Sequence, residues 1–350
     1  MSYPLIIFGA GASTDFLVRG DYPYDSDLDQ FIPPLTDRLF DGTKFQDIIN
    51  KYPEMHKVVD YIRSKLRSEN RKTLEQVLTK LYEEKIKVDE DLYVSFMSLL
   101  FYLSDLFRTI SNRYYRSNNN FNALIKMLGF SGNRALFVNF NYDLLLEKTL
   151  GKGNIKSVDE LLGGNFPVIK IHGSCNWWWT RMVDVWDEDS IKSTYDLSLG
   201  YAKGLLTMDE EAKSKLLKLA VYEADPKNLT IRRIGQGLNG IAFHPALALP
   251  ISEKNNFICP ESHIKFLRNE LKKINRIVII GWKIGDPFLK GIIQEELKQR
   301  KIPIAYVGKD NTDKVIDGID NDIKSNVILR DNNGFSHFLS MDEGEEFFNV

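Results

Sequence analysis

The chain is 350 residues long, with 43% hydrophobic and 27% charged residues, proportions that exclude disordered and fibrous classes. Lys and Arg number 46 and Asp and Glu 48, for a net charge of −2, so no global attraction to nucleic acid or to an anionic membrane is expected. Cys175 and Cys259 make no CxxC pair, which excludes a cysteine-built zinc site within one chain.

No apolar stretch reaches the roughly 18 residues that span a bilayer, and Met1–Phe8 does not read as a leader because glycines follow it at once. The expected setting is reduced and cytoplasmic. In chain order, Pro4–Phe8 (PLIIF) is a continuous apolar run of the kind buried on both faces of a parallel sheet. Gly9-Ala10-Gly11-Ala12-Ser13 follows it. The block from Asp41 to Gly129 reads as all-helical, with amphipathic spacing at Thr73–Lys85 and a more apolar helix at Leu92–Ile110. Further strand-like runs lie at Ala135–Asn139, Val168–Ile171, Ile277–Ile280 and Ile304–Val307; Leu247–Ile251 is weaker because Pro250 suits a strand end. Helices are expected at Pro260–Ile274 and Phe288–Arg300. The expected fold is α/β, a Rossmann-like parallel sheet with a large helical insertion after the first strand. Residues 1–40 and 130–350 would form the core, 41–129 the helical insertion, and 177–240 a second insertion within the core.

The chemistry-bearing residues cluster where strands end. A glycine turn after the first strand lets backbone approach a pyrophosphate, which makes Gly9, Ala10, Gly11 and Ser13 candidates for cofactor binding. The dehydrogenase fingerprint is disfavoured, because Thr14 stands where Gly or Ala is wanted and residues 21–34 hold acids but no strand. Asn139-Phe140-Asn141-Tyr142-Asp143 follows the second run. An amide there can hold a ribose hydroxyl or a water, although Asp143 would equally serve as a helix N-cap. His172-Gly173-Ser174 puts an imidazole, the group best suited to proton exchange near neutrality, at another strand end. His56, His244, His263 and His337 sit without such neighbours and read as structural. Gly281 opens the turn Gly281-Trp282-Lys283-Ile284-Gly285-Asp286-Pro287, and Gly308 closes the last strand. Convergence of several such turns on one sheet edge weighs more than any one of them.

The order GAGAS, NFNYD, HGS and GWKIGDP resembles the sirtuin family. In that family the glycine turn begins the NAD pocket, an asparagine motif contacts the nicotinamide ribose, and an HG motif carries the catalytic histidine. The resemblance therefore implies Asn141 and His172 as catalytic residues. It implies Gly9, Ala10, Gly11 and Ser13, and more loosely Asp143, Gly281 and Asp286, as cofactor-binding; Gly308 joins them as a candidate through its strand-end turn alone. Four departures accompany it: the four zinc-binding cysteines of deacylases are missing, an aromatic replaces the glutamine in Asn139-Phe140-Asn141, Thr14–Arg19 replaces the usual GIPDFR run, and the helical block after the first strand replaces a compact loop. These look like the sirtuin-like branch of bacterial antiphage defence, whose members hydrolyse NAD.

What the resemblance implies is an NAD hydrolase releasing nicotinamide and ADP-ribose, with NAD as substrate and no metal required. The diphosphate would rest on the Gly9–Ser13 amides, Asn141 would hold the ribose and a water, and His172 would accept a proton. The alternatives are an NAD-dependent protein deacylase and a non-catalytic module that senses NAD or an ADP-ribose derivative. A toxic hydrolase needs restraint, so a homo-oligomer or a separately encoded ATPase or helicase-like partner is expected, with no direct nucleic acid and no membrane. Leu92–Ile110 and Trp177-Trp178-Trp179 are candidate contact surfaces, set against burial in the chain's own core.

Overall fold

Apolar runs with few polar interruptions lower their free energy most inside a sheet covered on both faces. The strands are β1 (Tyr3–Phe8), β2 (Leu136–Asn139), β3 (Val168–Lys170), β4 (Gly173–Asp184), β5 (Lys218–Val221), β6 (Asn239–Leu247), β7 (Ile274–Ile280), β8 (Ile304–Val307) and β9 (Val327–Asp331). This computed structural model describes residues 2–18, 26–68, 72–86, 89–130, 134–184, 198–199, 217–222, 239–249, 258–309 and 312–349. Six strands pair in parallel in the order β3-β2-β1-β7-β8-β9. Counted among themselves these run 3-2-1-4-5-6, the Rossmann order, in which the crevice lies where the order reverses, at the carboxyl ends of β1 and β7.

The period of two along β1 divides the core. Ile6 and Phe8 join Phe137, Val278 and Ile280 on one face. Leu5 and Ile7 join Leu136, Val138, Ile277 and Ile279 on the other, beneath the helices Glu261–Leu271 and Pro287–Gln299. The first face is covered by the helices of residues 41–129, led by Glu90–Arg113, whose Leu99, Tyr102 and Leu106 belong to the same apolar cluster as Phe8. The insertion thus shares one core with the sheet. No described helix is long and apolar enough to cross a membrane.

Four expectations are corrected. A second, antiparallel sheet, in the order β5-β4-β6, takes up most of the described part of 177–240, the span that read as a second insertion; the rest of that span lies largely outside the described residues. The strand sought at Leu247–Ile251 instead ends at Leu247, and residues 250–257 lie outside the described residues. Strand β9 was not foreseen, because it is an edge strand whose Ile328 is 69% exposed and whose pattern alternates. Finally, both candidate contact surfaces are largely spent on the chain's own core, with Trp179 half-buried at its rim. Trp177 and Trp178 are buried, Trp178 donating from Nε1 to Tyr222 O at 3.1 Å, and the Leu92–Ile110 segment is packed into the core.

Candidate active site

The two glycine turns at the reversal point fit into each other. A Cβ on Gly9 would lie 2.5 Å from Gly281 O, one on Gly11 would lie 2.9 Å from Gly281 Cα, and one on Gly281 would lie 2.5 Å from Ala12 N. Gly281 also has φ +63°, a left-handed backbone that favours glycine. Close turn-to-turn contact therefore accounts for these glycines first. It also corrects the picture of five amides facing a diphosphate, since Gly9 N donates to Ile280 O, Gly11 N to Gly281 O and Ala12 N to Gly9 O. Gly308, at the end of β8, packs beside Thr312: a Cβ there would meet Thr312 Oγ1 at 2.7 Å.

Asn141 joins the β2 turn to the first glycine turn. Its Nδ2 donates to Gly9 O at 3.0 Å and to Ser13 Oγ at 2.9 Å. A carbonyl can only accept, so the amide orientation is fixed, and both Nδ2 protons are committed. Oδ1 is thus the group Asn141 brings to a ligand, an acceptor for a hydroxyl or a water. The backbone beneath is held by Asn141 N donating to Asn139 Oδ1 at 3.0 Å, and by Asn139 Nδ2 donating to Glu147 Oε1 at 3.4 Å.

Under this turn lies an ion pair that sequence reading missed. Lys170, wholly buried on β3, sits 3.0 Å from Glu147 Oε1 and donates to Asp143 O at 2.5 Å. The available signal was a lysine inside the otherwise apolar run Val168–Ile171. Asp143 is buried as well, its Oδ1 accepting from Leu145 N at 3.1 Å at the start of the Leu145–Thr149 helix. Burial pushes its carboxyl above the ordinary range, against the pull of the Lys170 ammonium. Asp143 therefore braces the turn from within, a structural role beside the cofactor contact expected of it.

His172 stands after β3, next to Gly173, whose φ of +80° and near contact with Ala246 O admit no side chain. Its backbone carbonyl accepts from Ala248 N at 3.0 Å. On the ring, Nε2 lies 3.1 Å from Asp286 Oδ2. Phe140, the neighbour of Asn141, sets its ring edge-on to His172 at 4.9 Å and stacks on Trp282 at 4.6 Å. Residues from the ends of β1, β2, β3 and β7 thus meet at one edge. Asp286, expected to touch cofactor, lies against His172.

The other histidines divide. His263 is buried and within 3.1 Å of Val158 O, and His244 is buried in β6. His337 does have an acidic neighbour, Asp331 at 3.1 Å, at the end of β9. Its ring is 45% exposed against 17% for His172. Among the described residues no group of three or more His, Cys, Asp and Glu is placed to hold a metal ion.

Solved structures similar to this chain are Sir2 homologues. One, a Sir2 homologue–NAD complex, is 13% identical, with 99% of this chain and 89% of that one covered and a TM-score of 0.43. Another, Sir2 with the inhibitor EX-527, 2′-O-acetyl-ADP-ribose and deacetylated p53 peptide, is 12% identical, covering 99% and 95%, with a TM-score of 0.41. No family model matches the sequence, and no curated protein matches it.

Proposed function

We propose that this protein hydrolyses NAD to nicotinamide and ADP-ribose. What supports the reading is one arrangement: Asn141 is bonded to the first glycine turn, and the ring of Phe140, its neighbour in the chain, packs edge-on against His172 at the end of the neighbouring strand, at the edge where a Rossmann-order sheet holds nucleotides. The motif resemblance to sirtuins supplies the substrate.

In this reading Asn141 Oδ1 accepts from a ribose hydroxyl or an attacking water. Water adds to C1′ of the nicotinamide ribose. The C1′–N bond breaks with its electron pair passing to the pyridinium nitrogen, so nicotinamide leaves neutral, and the proton from water passes to His172. Orientation and proton acceptance are the protein's contributions. Asp143 and the Lys170–Glu147 pair keep the Asn141 turn in place.

The test follows nicotinamide release by purified protein given NAD alone. Wild type turns over, while Asn141→Ala and His172→Ala fall by about 10²-fold or more. Turnover persisting in both variants removes the residue roles. Dependence on an added acetyl-lysine peptide indicates a deacylase instead, and tight binding without product indicates a sensing module. The same resemblance supports a role in antiphage defence, with activity restrained by self-assembly or by a separately encoded ATPase or helicase-like partner. Mass photometry with and without such a partner tests this, and a strict monomer fully active alone contradicts it.

A further inference from the structure

The loop that carries Asp286 is tightly determined. It leaves β7 through Gly281, passes Trp282 stacked on Phe140, and turns at Ile284, whose φ of +55° is the one left-handed non-glycine backbone among the described residues. Ile284 is nevertheless buried; strain of this kind persists only where surrounding packing enforces it. The loop ends with Asp286 at the N-cap of the Pro287–Gln299 helix, Oδ1 accepting from Leu289 N at 2.9 Å and Pro287 in the first turn. Oδ2 is left pointing at His172 Nε2, 3.1 Å away.

We infer that Asp286 is the positioning residue of the site: anchored by the helix cap, it holds the proton of His172 on Nε2 and so keeps the ring's lone pair on Nδ1, the nitrogen that accepts the proton in catalysis. A carboxylate accepts only, so its partner nitrogen must carry a hydrogen, and the neutral imidazole then has a single tautomer. The cap spends one oxygen on rigidity and leaves the other to select the tautomer. The catalytic part of this inference rests on the proposed NAD hydrolysis; the tautomer does not.

Two variants separate positioning from folding. Asn and Ser cap helices about as well as Asp, so Asp286→Asn and Asp286→Ser melt within a few degrees of wild type. In Asp286→Asn, Oδ1 retains the cap while the amide donates to Nε2, which forces the proton onto Nδ1. Protein labelled with 15N-histidine, its His172 signals assigned by their loss in His172→Gln, shows Nε2 protonated in wild type and Nδ1 protonated in Asp286→Asn. Nicotinamide release by Asp286→Asn falls by up to about 10⁴-fold, the loss an inverted tautomer causes in the serine-protease triad, with KM for NAD within a few-fold of wild type. Asp286→Ser, which fixes neither tautomer, falls between the two. An unchanged tautomer in Asp286→Asn, or wild-type turnover by it, overturns the inference. If wild type itself releases no nicotinamide, the hydrolase reading fails, and the 15N spectra still decide the tautomer.

Discussion

Replacing Gly281 by Ala tests whether the two glycine turns interlock. The residue has φ +63°, and a Cβ there would meet Ala12 N at 2.5 Å, Gly11 Cα at 2.6 Å and Gly11 C at 2.7 Å. All three are backbone atoms, so no side chain can swing aside. Left-handed backbone costs a residue with a Cβ about 1–2 kcal/mol, and an extra methyl in a full site costs about 1–3 kcal/mol. Together these amount to about 2–5 kcal/mol. Unfolding entropy of about 2.1 cal/mol/K per residue, applied to 350 residues melting as one unit, converts this to a fall in Tm of roughly 3–7 °C. The relief available is displacement of the first turn, which carries Gly9 O and Ser13 Oγ away from Asn141, so nicotinamide release should fall too. Gly291→Ala is the control. It lies in the Pro287–Gln299 helix with nothing within 4 Å of its would-be Cβ, and should gain about 0.5–1 kcal/mol. Scanning fluorimetry and the nucleotide assay read both variants. If Gly281→Ala melts and turns over like wild type, the turns are not in contact as described.

Two further predictions concern buried charge. Lys170→Met strands Glu147 without its cation and should cost about 3–5 kcal/mol in denaturant unfolding, whereas Lys170→Met with Glu147→Leu should recover much of it; a neutral single variant would show the pair to be no strut. His244 has a pKa pushed down to about 3 by burial and by the Arg181 charge, and neither ring nitrogen has a hydrogen-bond partner. Its neutral form is the folded form, so its contribution is whole above pH 6.5 and is lost as pH falls from there toward 3. At pH 5 the unfolded state's proton uptake removes about 2 kcal/mol. His244→Leu should flatten the stability difference between pH 7 and pH 5, and an unchanged slope assigns the acid sensitivity elsewhere.

The parallel strands were legible because burial on both faces leaves little polar choice: Leu5, Ile6, Ile7 and Phe8 are all buried. The second sheet was not. Its pairings join Trp178 to Ala220 and to Pro245, its β4–β6 register shifts, and Trp177-Trp178-Trp179 hides any alternation. The turn motifs do converge on one sheet edge, since Asn141 and His172 stand at the ends of neighbouring strands. Their partners were invisible, because Asp286 follows His172 by 114 positions and only the crossover to β7 closes that gap. The two readings of Asp143 could not be separated for a different reason. A carboxylate in a strand-end loop looks the same in sequence whether it faces a crevice or the interior, and only the lysine two positions into β3 hinted at the interior.

Strand β1 precedes both of its partners in the chain yet lies between them, with β2 on one side and β7 on the other. During synthesis its second neighbour emerges only after Ile274, on the order of ten to fifty seconds later at bacterial or eukaryotic elongation rates. The helices of 41–129 can form in that interval, but the apolar segment they will cover has no completed sheet to enter. Such long-range closure is slow and leaves sticky surface on display. Yield from expression should accordingly depend on growth temperature and on chaperone supply more than the finished protein's stability would suggest.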